Sequence, residues 1–505
     1  MRILMVSEDL PGEQVGGLGK HVVTLANRLL AEGHDVEIMG RNDRGIERCA
    51  GQIGFRGHFR PGFDYAHAGW KELQMGVFNP LKRPYFARKI AAAIDLHAPG
   101  FDVVHYHGHV PMVGLHVDAD INFVQTRHDQ GSECLTHLRF RDAAVCGTVL
   151  PADCAACIQG RAKSAGPMRK SVTAIAVNGY RTQAARAFAR HKTVFVSDFL
   201  RRQFLRAVPD ADLSRCRVIH NFVDYPRILQ AARAAASGPA GPAPRAGEVV
   251  LVGRLDAGKG FAEFLAASEG RLPPQARVTI VGDGPLRAAL AARYGTVGWT
   301  EDGAGDVPSD ATVALPDAVL EAGREADAMN AREARFAAGP GVHFLGWQDY
   351  DTALALAARA HLCVVPSLCE EACSTTVLEA LALGRPCVAL ARGGTPELAV
   401  YQQFEGQLQL ASTMDELVER VRVGLAEAPR AVAGTVAAAD AAADMATDME
   451  TDTVAGTSAG TGATTAPLPF GADTARLLPQ LLELYAEQTN LFDRYVHLEQ
   501  RRHAG

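Results

Sequence analysis

The chain has 505 residues, of which 48% are hydrophobic and 21% charged, a composition typical of a soluble globular protein with two or three domains. Its formal net charge of -6 gives no overall basic field, which argues against duplex nucleic acid as a main partner. No apolar run reaches the roughly 20 residues of a membrane span, and the first residues resemble a buried strand rather than a signal peptide. We therefore expect a cytoplasmic protein and leave open a peripheral contact with a membrane-borne substrate.

The first part of the chain alternates predicted strands and helices. Residues 3–7 form the first predicted strand, a glycine-containing loop covers 12–19, and the apolar residues of 21–32 recur at helical spacing until Gly33. Further strands are predicted over residues 35–39, 101–105 and 122–126. This alternation indicates a parallel sheet with both faces covered.

A second alternation begins after residues 235–247, a stretch rich in Pro, Gly and Ala that we interpret as an interdomain linker. The strands predicted after this linker cover residues 248–252, 277–281, 342–345, 361–365 and 386–390. The chain should therefore contain two similar α/β halves, residues 1–234 and 248–429, that face each other across a cleft.

Three segments lie outside this pattern. Residues 295–339, rich in Ala, Asp, Glu and Gly, are predicted to be an insertion between two strands. Residues 430–472 are dominated by Ala, Thr, Gly and Asp, and we expect disorder there because so few large apolar groups cannot offset the entropy lost on ordering. Residues 473–500 are predicted to form an amphipathic helix that packs back on the body.

Two glutamates flank the start of a predicted helix in the second half. Glu371 and Glu379 lie eight residues apart, after a buried strand that ends at Pro366 and within a run that ends at Gly384. A helix N-terminus offers free backbone N–H groups and the positive end of the helix dipole, which suits a phosphate or a diphosphate. The two carboxylates would then hold hydroxyl groups of the same ligand.

Arg254 and Lys259 follow the first strand of the second half, in the segment Gly253–Gly260. Because open α/β sheets bind ligands at the carboxyl ends of their strands, both side chains could converge on an anion there. The segment also matches the Gly-x4-Gly-Lys pattern of a phosphate loop, which makes an ATP- or GTP-hydrolysing enzyme a rival hypothesis. Gly260 argues against this rival, since a phosphate loop carries Ser or Thr at that position to bind magnesium. A surface turn with two solvated bases is the remaining alternative.

Several short motifs follow one another along the chain. In the second half they are Arg254-Leu255 with Lys259-Gly260, Val281–Leu286, His343–Trp347, and Glu371 with seven residues to Glu379. In the first half they are Gly16–Gly19, Asp102–Gly108 and Val218–Asp224. In order and spacing, these motifs together resemble glycosyltransferase family four. The resemblance covers most of residues 1–425 apart from the insertion, and the ordered set is far more specific than any one motif.

The resemblance implies an enzyme with the GT-B fold, in which two Rossmann-like domains face each other and the C-terminal one binds a nucleotide-sugar donor. It also implies sugar transfer with retention of the anomeric configuration and without an obligatory metal ion or cofactor. Matched residue by residue, Glu371 would bind the hydroxyls of the donor sugar and Glu379 the ribose. Arg254 and Lys259 would neutralise the departing diphosphate. The other residues expected at the donor are Gly16, Gly17, Cys373, Ser374, Thr375, Thr376, Gly282 and Trp347.

The Gly16–Gly19 loop would approach the diphosphate from the other domain, because missing side chains permit close backbone contact. A turn before a helix, with no ligand, is the alternative. Two positions depart from the family pattern. Glu371–Ser374 replaces the usual Glu-Pro-Phe-Gly, and Phe222 replaces a common glycine. These departures place the shape of the donor loop in question and leave both glutamates intact.

His128 aligns with a histidine that the family often carries near the reacting carbon, where it could donate or accept a proton. An ordinary loop histidine is the alternative. A retaining reaction could also suggest Glu371 as a carboxylate nucleophile, as in glycosidases. The family is instead understood to react on one face, with the leaving phosphate assisting deprotonation of the acceptor hydroxyl, so we assign Glu371 to binding.

Cys134, Cys146, Cys154 and Cys157 lie close together in the sequence, and the last two have the spacing of metal ligands. Four thiolates could form a tetrahedral structural zinc site. Reduced, unliganded cysteines are the alternative, since ten cysteines in a chain without an export signal do not indicate disulfides.

These observations predict a retaining glycosyltransferase that moves a sugar from a nucleoside diphosphate to an acceptor hydroxyl. We expect it to build a cell-surface polysaccharide or a glycosylated metabolite, and its acceptor could be a saccharide, a lipid-linked sugar or a small molecule. A sugar-nucleotide epimerase of the same fold, a phosphate-loop hydrolase and a non-catalytic sugar-nucleotide binding protein are the alternatives.

Overall fold

The computed structural model describes residues 1–11, 16–42, 54–64, 83–161, 167–237, 244–295, 341–429 and 470–487. These residues contain two parallel sheets covered by helices, which confirms the predicted α/β class with one sheet in each half. The predicted insertion at 295–339 and the low-complexity segment at 430–472 lie outside the described residues, apart from residue 295 and residues 470–472. Among the described residues, no helix is both long and apolar enough to span a bilayer.

Nine strands lie in the described residues of the first half. They are β1 (Arg2–Ser7), β2 (Asp35–Arg41), β3 (His58–Phe63), β4 (Val103–His107), β5 (Phe123–Arg127), β6 (Phe140–Arg141), β7 (Ala144–Val145), β8 (Lys192–Phe195) and β9 (Cys216–Val218). Seven of them form a parallel sheet in the order β3-β2-β1-β4-β5-β8-β9, while β6 and β7 pair separately as an antiparallel ribbon. The register places Ser7 beside His107, and His107 beside Thr126, so the loops after these strands meet at one edge.

The described part of the first half contains six helices. They are α1 (Gly17–Ala31), α2 (Arg83–His97), α3 (Pro151–Arg161), α4 (Pro167–Arg190), α5 (Asp198–Ala207) and α6 (Tyr225–Ser237). Helix α1 begins at Gly17, four residues before the predicted start, because its first turn contains two glycines that carry no apolar periodicity. Its buried face, which includes Val22, Leu25 and Leu29, packs on one side of the sheet.

The second sheet has six strands, all parallel, in the order β12-β11-β10-β13-β14-β15. Its strands are β10 (Glu248–Val252), β11 (Arg277–Val281), β12 (Gly341–Phe344), β13 (Leu362–Val365), β14 (Cys387–Leu390) and β15 (Leu408–Ala411). Its helices are α7 (Phe261–Ser268), α8 (Arg287–Tyr294), α9 (Tyr350–Arg359), α10 (Thr375–Ala382) and α11 (Met414–Ala426). Strand β10 is central, and its end at Val252 lies beside the end of β11 at Val281.

The end of the described chain returns to the first sheet. Helix α12 (Thr474–Ala486) buries Leu477, Leu481 and Tyr485 in the same core cluster as α1. The Tyr485 hydroxyl lies 2.6 Å from Nδ1 of His105 in β4. The last described helix therefore follows the second half in sequence but completes the core of the first half.

The two halves are also joined directly. A single core cluster contains Phe195 and Phe199 of the first half together with Val377 and Leu398 of the second. The Glu397 carboxylate accepts hydrogen bonds from the backbone N–H groups of Asp198 and Phe199, at 2.8 and 2.6 Å, and so stabilises the start of α5 from the opposite half. This contact holds the carboxyl edges of both sheets next to each other.

Candidate active site

The carboxyl edges of the two sheets meet near Glu370, in the loop that follows β13. The Gln130 side chain, after β5, donates a hydrogen bond of 3.2 Å to the Glu370 carbonyl. Arg139 Nε of the first half lies 3.8 Å from the Glu370 carboxylate. The loop that carries Glu370 and Glu371 therefore lies against residues of the first half, at the edge where open α/β sheets bind ligands.

Lys259 and Glu371 form an ion pair at this junction. Lys259 Nζ lies 2.6 Å from Glu371 Oε1, and the Ser367 hydroxyl donates to the same oxygen at 2.6 Å. Burial alone would raise the pKa of Glu371, but the Lys259 ammonium more than offsets this, so the pKa is lowered. Burial would likewise lower the pKa of Lys259, and Glu371 raises it. Both groups are consequently charged at neutral pH.

Close backbone packing holds these loops in place. Gly260 has a φ of 71°, and a Cβ there would lie 2.0 Å from the Pro366 carbonyl oxygen, so the loop after β10 packs tightly on the loop after β13. Gly393, with a φ of 61°, fits against Glu371 in the same way. These contacts fix the backbone on both sides of the Lys259–Glu371 pair.

Helix α10 begins directly after this loop. The Ser374 hydroxyl accepts a hydrogen bond from the Val377 N–H and caps the helix, while Thr375 and Thr376 are half-buried in its first turn. Cys373 is buried, and its carbonyl accepts a 3.0 Å hydrogen bond from the Asn221 side chain. Cys373 thus contacts the first half of the molecule, and the departure from the family pattern at this position falls on an inter-half contact.

Glu379 lies one turn into α10 and is enclosed by a different set of groups. Burial raises the pKa of Glu379, while Lys20 and Tyr350 act in the opposite direction. Lys20 belongs to α1, and its ammonium lies 4.5 Å from the centre of the Tyr350 ring. Sequence reasoning missed both Lys20 and Tyr350, because only the packing of the two halves brings them to Glu379.

Arg254 and Trp347 are more exposed than the other predicted donor residues. The Arg254 side chain is 68% exposed, and its Nε donates to Asp256 at 2.7 Å rather than to the Glu371 loop. Trp347, which follows β12, is 48% exposed. Packing within the second half already explains why residue 282 is a glycine, since a Cβ at its φ of 140° would lie 1.9 Å from the Gly253 carbonyl oxygen.

Gly16 and Gly17 lie at the start of helix α1, at the carboxyl edge of the first sheet, called here the first edge; the carboxyl edge of the second sheet is the second edge. Gly16 is the N-cap residue and Gly17 the first helical residue, and both are exposed. A Cβ on Gly17 would meet no atom of the described residues within 4 Å, and one on Gly16 would lie 3.9 Å from Asp9 Oδ2. Within the described part of the chain the space beside Gly17 is therefore open, and the N–H groups of a helix start can bind an anion.

His128, itself half-buried, packs with the buried imidazoles of His21 and His107 on the same edge. Nε2 of His128 lies 3.0 Å from Nδ1 of His107, and the ring of His21 lies 4.7 Å from that of His128. Burial lowers the pKa of His21 and of His105 to about 3, and it lowers the pKa of His107 and His128 well below the usual value. His128 is therefore a neutral hydrogen-bonding group.

A second cluster, absent from the sequence-based expectations, surrounds Asp129. His109 Nδ1 and His137 Nδ1 lie 2.5 and 3.0 Å from Asp129 Oδ2, and His109 Nε2 lies 3.4 Å from Asp9. Burial would lower the pKa of His109, but Asp129 and Asp9 raise it well above its usual value. The alternation of His105, His107 and His109 was the available signal, and it points to one sheet edge.

Of the two alternatives for Cys134, Cys146, Cys154 and Cys157, the zinc site is not supported. The four residues line one cavity, but Cys134 Sγ contacts the Thr136 hydroxyl at 3.2 Å and Cys154 Sγ accepts from Arg181 at 3.3 Å. Within the described ranges, the groups of side chains close enough to share a metal ion are His21 with His107 and His128, and His109 with Asp129 and His137. The cysteines are free thiols around an arginine-braced loop.

Residues 15–227 match the family model described as Glycosyltransferase Family 4, and residues 318–426 match the model described as Glycosyl transferases group 1. The glycogen synthase of Mycobacterium tuberculosis is 26% identical over 476 residues, which are 87% of this chain and 85% of that protein. The catalytic domain of starch synthase IV from Arabidopsis thaliana, bound to ADP and acarbose, has a TM-score of 0.51 at 13% identity and covers 96% of this chain and 98% of its own. A glycosyltransferase from Rickettsia africae also has a TM-score of 0.51 at 13% identity, and the match covers 96% of this chain and 98% of that one. Both structures share the two-sheet fold.

Proposed function

The chain belongs to glycosyltransferase family 4, and we propose that it moves a hexose from a nucleoside-diphosphate sugar to a hydroxyl group of a saccharide acceptor. Membership of the family makes it a retaining glycosyltransferase that uses a nucleotide-sugar donor without a cofactor. The similarity to a glycogen synthase supports a saccharide acceptor. Its place would be the synthesis of a cell-surface polysaccharide or a glycosylated metabolite, and a lipid-linked acceptor would bring the protein to a membrane surface from the cytoplasm.

The Lys259–Glu371 ion pair carries this proposal. A nucleoside diphosphate gains negative charge as it leaves the sugar, and a fixed ammonium beside a helix start stabilises that charge. Lys259 is held protonated by Glu371, and Glu371 is held ionised by Lys259, so that its second oxygen is suited to a sugar hydroxyl. Arg254 would turn from Asp256 to the diphosphate, and Ser374, Thr375 and Thr376 would supply the helix-start N–H groups.

The first half would complete the site from the opposite edge. The open backbone at Gly16 and Gly17 would approach the diphosphate, and His128 would offer a neutral imidazole near the reacting carbon. A neutral histidine can both donate and accept a hydrogen bond, as a shared sugar hydroxyl requires. Gly282 and Trp347 would border the nucleoside end of the donor, with Glu379 on the ribose.

The phosphate-loop alternative conflicts with the packing at Gly260. A phosphate loop needs a hydroxyl side chain at this position to bind magnesium. Here any Cβ would lie 2.0 Å from the Pro366 carbonyl oxygen, and the φ of 71° favours glycine. The position is therefore used for packing two loops together, and Lys259 is used for an ion pair with a carboxylate.

An assay of nucleoside diphosphate release tests the proposal. Purified protein would be given ADP-, GDP- and UDP-hexoses with and without a mixture of oligosaccharide acceptors, and separately ATP with magnesium. We expect rapid release with one donor only when an acceptor is present. Glu371→Gln should lose transfer but still bind the free nucleoside diphosphate, because Glu371 is assigned to the sugar.

Two outcomes would contradict the proposal. Conversion of the donor to an epimeric sugar nucleotide, without consumption of acceptor, would indicate an epimerase. Magnesium-dependent ATP hydrolysis that disappears in Lys259→Ala would indicate a phosphate-loop hydrolase.

A further inference from the structure

Tyr350 lies at the contact between the two halves, next to the proposed ribose site. It is the first residue of α9, directly after the N-cap Asp349, whose carboxylate accepts from the Thr352 N–H at 3.0 Å. On one side its hydroxyl contacts the Glu379 carboxylate, and on another its ring contacts the Lys20 ammonium at 4.5 Å. Tyr350 therefore touches both Glu379, the carboxylate proposed to bind the ribose, and Lys20, a cation of the first half.

The Glu379 carboxylate depends on these neighbours. Burial favours the neutral acid, whereas a carboxylate that accepts two ribose hydroxyls must be ionised. The charge of Lys20 and the hydrogen bond from the Tyr350 hydroxyl oppose the effect of burial on the pKa of Glu379. A tyrosine hydroxyl uses only one lone pair of the carboxylate, so positions remain for a diol.

Lys20 connects this contact to the glycine loop. It lies in the first turn of α1, and its backbone N–H donates to the Gly16 carbonyl at 3.0 Å. When the Lys20 side chain rests on the Tyr350 ring, it therefore also holds Gly16 and Gly17 in one position relative to the second half. Cation–π contacts of this kind are directional enough to favour one arrangement.

The Tyr350 ring is itself braced. The Arg227 guanidinium lies 5.1 Å from the ring centre, and its two nitrogens hold the Asp351 carboxylate at 2.7 and 3.0 Å. This bidentate pair joins α6 to the start of α9. Tyr350 is thus fixed on the α9 side and contacts Lys20 and Glu379 from there.

We propose that Tyr350 is a positioning residue that couples ribose binding at Glu379 to the placement of the Gly16–Gly17 loop by Lys20. Its hydroxyl orients Glu379 for the ribose diol, and its ring anchors Lys20. The inference rests on the proposed function, in which Glu379 binds the ribose and the glycine loop meets the diphosphate. The two roles belong to different parts of one side chain and can be separated by substitution.

Calorimetric titration tests the hydroxyl role. The probes are ADP, GDP and UDP and their 2′,3′-dideoxy counterparts, titrated into wild-type protein, Tyr350→Phe and a control, Tyr225→Phe, which removes a half-buried tyrosine hydroxyl elsewhere. We expect wild type and the control to prefer the ribonucleotide by about tenfold, from two lost hydrogen bonds. Tyr350→Phe should reduce this preference several-fold and bind the dideoxynucleotide like wild type.

A double-mutant cycle tests the ring role. Lys20→Met and Tyr350→Leu should each lower kcat by about 2- to 5-fold, the range expected for an exposed cation–π contact, while Lys20→Arg and Tyr350→Phe retain the contact and should lower kcat less. Lys20→Met and Tyr350→Leu combined should be no worse than either alone, because they remove the same contact. Lys20→Met combined with Tyr350→Phe should show additive effects.

The outcomes separate the inference from the proposed function. Absence of nucleotide binding, or equal binding of ribo- and dideoxynucleotides by wild type, would overturn the assignment of Glu379 and with it the basis of the inference. A clear ribose preference in wild type that Tyr350→Phe leaves unchanged would overturn the inference alone. Additivity of Lys20→Met with Tyr350→Leu would equally overturn the coupling, and the isosteric Phe variant keeps the test valid if the Leu variant folds poorly.

Discussion

Glycine occurs at the carboxyl edge of both sheets, but its surroundings differ. At Gly17, on the first edge, an added Cβ would meet no atom of the residues that the structure describes within 4 Å. At Gly282, on the second edge, it would lie 1.9 Å from the Gly253 carbonyl oxygen at a φ of 140°. The fold requires glycine at the second position and not at the first. An open position that nonetheless lacks a side chain suits close approach of a ligand to the backbone, whereas a packed one is explained by the protein alone.

The titratable groups show the same contrast. The first edge carries the neutral imidazoles of His107 and His128 beside the His109–Asp129 ion pair. The second edge carries the charged pair Lys259 and Glu371. Lys259, the cation assigned to the leaving diphosphate, therefore lies on the second half. The imidazoles of His107 and His128 offer uncharged donors and acceptors, which suit hydroxyl groups.

Substitution of Lys259 is expected to have the largest effect. Lys259→Met should lower kcat by about 10²–10³-fold, the usual cost of removing one preorganised electrostatic group, whereas Lys259→Arg should retain part of the rate. His128→Gln, on the first edge, should lower kcat by only about tenfold because a hydrogen-bonding group remains. Initial rates of nucleoside diphosphate release measure both. A larger loss at His128 than at Lys259 would reverse the division between the edges.

The sequence was sufficient for the nine strands predicted from it and for the motifs that follow them, but not for β3, β6, β7, β8, β9 and β15. Most predicted strand bounds lie within one or two residues of those observed, because buried parallel strands are short apolar runs that end at glycine or proline. The Lys259–Glu371 contact joins two loops that the sequence had each placed at a carboxyl edge. Strand adjacency in α/β sheets brings such loops together.

Contacts between distant segments were beyond the reach of the sequence. The contact of Lys20 with Tyr350, and that of His105 with Tyr485, depend on how the two halves and the last helix pack. Periodicity has no information on such packing. Gly282 shows the opposite limit, since the family motif assigned it to the donor and the close approach of Gly253 is visible only in three dimensions.

Matched glycine substitutions separate packing from ligand approach. Gly282→Ala should lower the free energy of unfolding by about 2–3 kcal/mol, because it forces a backbone clash and a strained φ. Gly17→Ala should leave stability unchanged or raise it by up to about 1 kcal/mol, since Ala is the better helix former, yet it should slow transfer. Urea unfolding and steady-state rates distinguish the two. Full activity in Gly17→Ala would show that the first-edge glycine only forms a turn.

The buried histidines should make stability fall in acid. The pKa of His105 is about 3 in the folded protein and near 6.5 when unfolded, so the unfolded chain binds the extra proton as pH falls below 6.5. Between pH 7 and pH 5 this group should cost about 2 kcal/mol, and His105→Gln should lose that part of the pH dependence. Urea unfolding of wild type and His105→Gln at the two pH values measures this difference. If the unfolding free energy of both proteins changed equally between pH 7 and pH 5, His105 would not be buried as a neutral group.

His109 provides the opposite sign on the same edge. Its pKa is raised in the folded protein, so its stabilising contribution is complete below pH 6.5 and is lost as pH rises through the folded pKa. His109→Gln should therefore destabilise the protein more at pH 6 than at pH 8. A larger cost at pH 8 would show that the Asp129 cluster is not held by a protonated imidazole.

Trp347 should give the smallest effect, and it tests whether the second edge extends beyond its charged pair. The indole is 48% exposed and follows β12, and the Gly346 carbonyl accepts from the Gly282 N–H at 2.7 Å. Trp347→Ala should raise the donor KM by about 2- to 10-fold with kcat unchanged, because a ring stacked on the nucleoside contributes equally to ground and transition states. Trp347→Phe should restore most of the affinity. Leu96→Ala removes another exposed apolar side chain, before β4 at the opposite end of the strands, and should leave KM unchanged. An unchanged KM in Trp347→Ala would restrict the donor site to the loops after β10 and β13, where the charge lies.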